Sequence, residues 1–127
     1  MDIVFDIETA GVDFEMLSES QREFILRYAE KEKDEEIRNE KIADAKRYLS
    51  LYPFTASVVA IGLLRTDTAS SLVLYESAGR EEWENKEKSI KYMGVTETEM
   101  LNLFWDYAAK AERVITFNGR QFDVPFL

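Results

Sequence analysis

The sequence predicts an α/β domain built on a mixed sheet, and three observations predict it. Residues 3–7, Ile-Val-Phe-Asp-Ile, give a strand of β-branched and aromatic residues almost at the first position. Ala56–Arg65 is a nearly continuous apolar run, and Ser71–Glu76 follows it across a short polar link, as in an antiparallel hairpin. Thr96 and Glu99 form a capping box ahead of Met100, Leu103, Phe104, Tyr107, Ala108 and Ala111 at helical spacing. That helix leads into a further strand at Arg113–Phe117, of the helix-linked, parallel type.

The other elements follow in order. Gly11 ends the first strand. From about Ser18 to Leu51 the pattern turns helical: Ser20 with Glu23 fits a capping box, and Leu17, Phe24, Tyr28, then Ile37, Ala45, Tyr48 and Leu49 fall at helical spacing. Between these sets Glu30–Glu36 is almost wholly charged and reads as a solvated helix face or a connection between two helices. It leaves from the end of the first strand, so a part in gripping substrate is the functional alternative. Pro53 closes the region, and the helical insertion occupies about residues 14–51. The apolar run at Ala56–Arg65 suits a strand buried on both faces. Thr66–Ala69 is a turn; Gly79–Met93, polar with Trp83 and Ile90 as isolated anchors, reads as loop with a short helix. Asn118-Gly119 is a turn, and Phe122–Leu127 has the pattern of a helix's first turn, with Pro125 early in it.

A chain of 127 residues is one domain's worth, and 46% hydrophobic against 32% charged residues is the balance of a globular protein rather than a disordered one. There are no cysteines, which excludes disulfides, thiolate zinc sites and cysteine nucleophiles. There are no histidines either, so serine–histidine triads, imidazole ligands and histidine bases are excluded within these residues. Sixteen basic against 25 acidic residues give a net charge of −9, which predicts weak, salt-dependent binding to polyanions unless cations intervene. A nuclease whose carboxylates work through divalent cations is compatible with that charge. No run approaches the roughly eighteen apolar residues of a membrane span. Met1–Asp6 opens straight into a strand without a basic region or cleavage site, from which a cytoplasmic protein is expected.

Two segments carry candidate chemistry. In Phe5-Asp-Ile-Glu-Thr9, alternation puts Asp6 and Glu8 on one side of the strand and Phe5 and Ile7 on the other. Two neighbouring carboxylates are costly unless something cationic sits between them, and hard oxygen donors suit Mg²⁺ or Mn²⁺. Taken alone, Asp-x-Glu is also simply a pair of solvated acids where a strand enters a loop. In the second segment, Ile115 to Asp123, a strand ends at Asn118-Gly119 and Asp123 stands near the start of a helix, where an acid is favoured anyway by unpaired amides. If this strand lies parallel and adjacent to the first, both carboxyl ends meet on one sheet edge, where open α/β sheets place their sites. Asp6, Glu8 and Asp123 then converge.

Phe5-Asp6-Ile7-Glu8-Thr9 resembles the first motif of the DEDD 3′–5′ exonucleases, which have a ribonuclease H-like fold. Asn118-x-x-x-Phe122-Asp123 resembles their second motif, in the form typical of family-B DNA polymerase proofreading domains and of stand-alone relatives predicted as exonucleases. The resemblance covers the first strand and everything from about Pro53 onward. It implies a ribonuclease H-like mixed sheet with the first three strands antiparallel, the fourth parallel to the first, and the helical insertion after the first strand. It implies a metal-dependent exonuclease hydrolysing phosphodiester bonds at the 3′ end of single-stranded DNA or RNA, DNA ahead of RNA. Its cofactors would be two divalent cations, Mg²⁺ or Mn²⁺. Asp6 would bridge both metals, Glu8 would help hold the first, and Asp123 would hold the second, largely through water. Metals about 4 Å apart stabilise the attacking and leaving oxygens together. Thr9 would contact the terminal nucleotide through its backbone, and Asn118 would order the turn or touch the strand being cut. Arg120 and the basic residues of the insertion would guide that strand, while Phe122 reads as core beside a buried Val124 rather than as a base-stacking wedge.

The family's third motif, a Tyr-x-x-x-Asp or His-x-x-x-Asp on a later helix, has no counterpart here; Tyr92 and Asp106-Tyr107 do not fit its order or spacing. The expectation is therefore an incomplete domain whose C-terminal part is missing. Three of four ligands predict weak metal affinity and little turnover. Self-association, or a partner chain covering the exposed edge, is expected. The alternative function is a non-catalytic ribonuclease H-like interaction module.

Overall fold

Alternation shapes the first strand. In the computed structural model, which describes residues 1–127, β1 (Asp2–Gly11) buries Ile3, Phe5 and Ile7 and leaves Asp6 and Glu8 exposed. The other strands are β2 (Ala56–Arg65), β3 (Ser70–Glu76), β4 (Glu81–Asn85), β5 (Ile90–Val95) and β6 (Arg113–Ile115), and together they form one mixed sheet in the order β4-β5-β3-β2-β1-β6. The helices are α1 (Glu19–Leu26), α2 (Glu35–Arg47), α3 (Glu97–Ala108) and α4 (Asp123–Phe126). The chain divides into two compact units, Met1–Thr9 with Val58–Leu127, and Ala10–Ser57.

In the first unit β2 and β3 pair antiparallel, from Ala60 opposite Tyr75 to Arg65 opposite Ser70, as the short polar link predicts. β6 runs parallel to β1, with Asp2, Ile3 and Val4 level with Arg113, Val114 and Ile115. It is shorter than the predicted Arg113–Phe117, because the chain turns away at Thr116. α3 starts at the predicted capping box: Thr96 Oγ1 accepts from the Glu99 amide at 3.3 Å, and Glu99 Oε2 accepts from the Thr96 amide at 3.1 Å. Its Met100 and Phe104 are buried, and the Phe104 ring meets Phe5 edge-on with centroids 4.9 Å apart. Burying a side chain of this size contributes about 1.5–3 kcal/mol. That contact fixes α3 on the Ile3–Phe5–Ile7 face of β1. β2 is not buried on both faces throughout: Ile61 and Leu63 are buried, whereas Leu64 is exposed on the other side.

The predicted loop at 79–93 is instead an antiparallel hairpin of β4 and β5, with Trp83 opposite Tyr92. Their rings stack at 3.7 Å with planes 6° apart, and Trp83 Nε1 donates to Tyr75 Oη at 3.2 Å. This cross-strand stack organises a segment otherwise made of charged residues. β5 then joins β3 in parallel, Ser71 level with Ile90 and Glu76 with Val95.

The second unit holds α1 and α2. α1 is capped by Ser18 and Gln21 rather than Ser20 and Glu23: Ser18 Oγ accepts from the Gln21 amide at 3.3 Å and Gln21 Oε1 accepts from the Ser18 amide at 2.9 Å. Both pairs match the motif, and the one whose serine is extended takes the cap. The charged segment 30–36 is split. A single turn covers Ala29–Lys31, Asp34 caps α2 by accepting from the Ile37 amide at 3.0 Å, and Glu35 and Glu36 fill its first turn. Lys46 and Arg47 close its last turn, the arrangement the helix dipole favours. Gly11 is required by close approach, since a Cβ there would lie 2.9 Å from the Ser50 amide nitrogen. Phe24, Tyr28, Ile37 and Tyr48, expected on the apolar side of these helices, are exposed; Ala29 and Leu49 are the buried residues.

Candidate functional site: an acidic strand edge

Asp6 and Glu8 stand two residues apart on the exposed face of β1. The last pair in the β1–β6 ladder is Val4 with Ile115, so both carboxylates lie just beyond the point where β6 leaves the sheet. The start of this strand pair is held by charge. Arg113 Nε donates to Asp2 Oδ2 at 3.0 Å, and that hydrogen bond holds the Asp2 carboxyl below its ordinary range. The N-terminal ammonium pairs with Glu112 at 3.2 Å, and the Glu112 amide donates to the Met1 carbonyl at 2.8 Å.

Beyond β6 the backbone folds into a tight turn. Asn118 adopts a left-handed φ of 55°, which asparagine tolerates better than most residues. Its carbonyl accepts from the amides of Gln121 at 3.0 Å and Phe122 at 3.3 Å, so Asn118 orders the turn through its backbone. Gly119 is buried, and a Cβ there would sit 1.8 Å from Thr116 Cγ2, so only glycine fits. This close approach brings Thr116 over the end of the turn, where its Oγ1 donates to Asp123 Oδ2 at 3.1 Å. Asp123, the first residue of α4, is 2% exposed and is the only buried charged side chain.

The predicted residues are therefore placed in two groups. Asp6 and Glu8 share an open face, with half-buried Thr9 following them. Asp123 is folded into the turn with Thr116 as its partner, and no three Asp, Glu, His or Cys side chains are gathered so as to hold a metal ion. Arg120 is exposed on the same turn. Phe122 is half-buried, its ring tilted against the buried Phe126 at 5.6 Å. Val124, expected to be buried, is exposed; the four-residue α4 turns Asp123 and Phe126 inward and Val124 outward.

Two features escaped the sequence reading. Thr116 as the partner of Asp123 had one available signal, the Asn-Gly turn that brings positions 116 and 123 together. The exposed aromatics of the helical unit had another, the Tyr and Phe residues that crowd the segments just after its two charged helices. Compared with protein-family models, curated proteins and solved structures, the chain matches none.

Proposed function

We propose that this chain is a metal-dependent 3′–5′ exonuclease of ribonuclease H-like type, acting in the cytoplasm at the 3′ end of single-stranded nucleic acid, DNA ahead of RNA. The observation that carries the reading is the pair Asp6 and Glu8 on one open face of β1, beside a parallel β6, in a sheet whose neighbours run β3-β2-β1-β6. Two exposed carboxylates at this spacing are hard oxygen donors and fit a divalent cation, Mg²⁺ or Mn²⁺. The three-carboxylate set does not fit as it stands, because Asp123 is turned into its own hydrogen bond with Thr116.

A divalent cation at such a site supplies Lewis acidity and lowers the pKa of water. Asp6 and Glu8 supply the negative charge that localises it. Asp123 would add a third carboxylate only with its hydrogen bond from Thr116 broken. Thr9 follows Glu8 within β1 and Asn118 lies in the turn beyond β6; these two would contact the strand end, and the exposed Arg120 would offer a cation to its phosphates. The separation of Asp123 from the pair favours the second reading, a non-catalytic interaction module.

Mn²⁺ titration by calorimetry of the wild type and of Asp6→Asn separates the two, together with release of nucleotides from a 3′-labelled single strand. Binding that is lost in the variant, with Mn²⁺-dependent release from the wild type, supports the exonuclease. A wild type that binds no Mn²⁺ at millimolar concentration sinks it and leaves the interaction module.

A further inference from the structure

The helical unit carries a groove that the carboxylate site does not use. It encloses about 670 Å³ between α1, α2 and the segment after Arg47, entirely within residues 20–55. Five aromatic side chains line it, Phe24, Tyr28, Tyr48, Tyr52 and Phe54, and all five are exposed, Tyr28 at 67% and Phe54 at 96%. Arg27 is the one charged residue in the lining; no carboxylate takes part, in a chain with 25 of them. Its guanidinium lies 3.7 Å from the centre of the Phe24 ring and 4.5 Å from that of Tyr28, donates to the Phe24 carbonyl, and has no acidic partner. Tyr52 and Phe54 have open ring faces, without a stacked ring or cation.

We infer that this groove binds single-stranded nucleic acid, stacking unpaired bases on Tyr52 and Phe54 and placing a phosphate at Arg27. Charge complementarity decides the occupant. A surface that collects aromatic rings and one unpaired cation, and excludes acids from an acidic chain, is complementary to a ligand that is both aromatic and anionic. Stacking provides affinity without needing a basic surface, because every base has a ring face. Pre-positioning of Arg27 by two rings keeps its cation in the groove without a neutralising carboxylate. The groove functions without the carboxylates of β1, so the inference stands or falls apart from the exonuclease reading.

The test is fluorescence anisotropy of a short fluorescein-labelled oligothymidylate with the full chain in EDTA. Phe54→Ala should weaken binding about tenfold, the cost of losing a stacked base, and Arg27→Gln should weaken it by about the same factor through loss of the phosphate contact. Phe54 is almost wholly exposed, so its truncation leaves the core intact; circular dichroism checks the fold of Arg27→Gln. The inference is overturned if the wild type does not bind, if both folded variants bind equally well, or if duplex competes as strongly as single strand. It is also overturned if the variants change only self-association in sedimentation, which would make the groove a protein-docking face. Oligonucleotide binding without Mn²⁺ binding supports the groove and sinks the exonuclease. Mn²⁺-dependent cleavage with fully binding groove variants does the reverse.

Discussion

At the scale of single residues, Asp123 is the informative one. A buried carboxylate with a neutral donor is costly to strand, since loss of the donor leaves the desolvation penalty uncompensated. Thr116→Val keeps the shape and removes the hydroxyl, and should lower stability by about 1–3 kcal/mol in chemical denaturation. The open pair Asp6 and Glu8 was legible from alternation alone, a two-residue rule that needs no tertiary information. The placement of Asp123 was not, because it depends on Thr116 closing against a glycine with no room for a side chain. A second residue-scale effect concerns acid. Asp2 and Asp67 are held below their ordinary 3.8 by hydrogen bonds from Arg113 and Arg65. Glu32, Glu81 and Glu99 are held below 4.5 by Lys41, by Tyr75 and Ser77, and by the Thr96 amide. A carboxyl depressed in the folded state adds its stability in full above the unfolded pKa and loses it as pH falls through the folded one. The melting temperature should therefore hold from neutrality to about pH 5 and fall progressively below about 4.5, each exposed group adding little.

At the scale of elements, local signals succeeded where the element is locally determined. α3 carries its own cap and its own apolar stripe, and it forms where they place it. Thr96→Ala removes the cap and should cost about 1 kcal/mol, read as a lower midpoint in thermal or urea denaturation. β4 and β5 were missed because Glu-Glu-Trp-Glu-Asn has a single apolar residue and no alternation to read. What makes it a strand is Tyr92, nine positions on, stacking on Trp83. Phe24, Tyr28, Ile37 and Tyr48 in the helical unit failed in the opposite sense. Their spacing is helical, yet spacing says nothing about whether a face is covered, and here it is not.

At the scale of the whole molecule, charge is the controlling quantity. A net charge of −9 repels a polyanion at long range, so binding must rest on short-range contacts. If the groove neutralises one phosphate at Arg27, the logarithm of oligonucleotide affinity should fall with the logarithm of monovalent salt with a slope of about −0.7, far shallower than for a basic binder. Anisotropy titrations across a salt series measure that slope, and a value several times steeper would place the contacts on other cations. The α/β class and the antiparallel β2–β3 pair were readable in advance, the pair being set by turn length, whereas the parallel β1–β6 pair was an expectation of the family resemblance that the register bears out. The sequence pattern places the insertion at about 14–51, and the compact unit runs from Ala10 to Ser57.

The distribution of chromophores across the two units has an optical consequence. Both tryptophans, Trp83 and Trp105, lie in the sheet unit, one stacked on Tyr92 and the other edge-on to Phe104. The helical unit contains tyrosines and phenylalanines but no indole. Indole emission excited at the red edge of its band thus reports on the sheet unit alone, while the far-ultraviolet helical signal draws on α1 and α2 as well. The chain comes with one spectral channel confined to the sheet unit and another shared by both units, and no label has to be introduced to watch them melt together or apart.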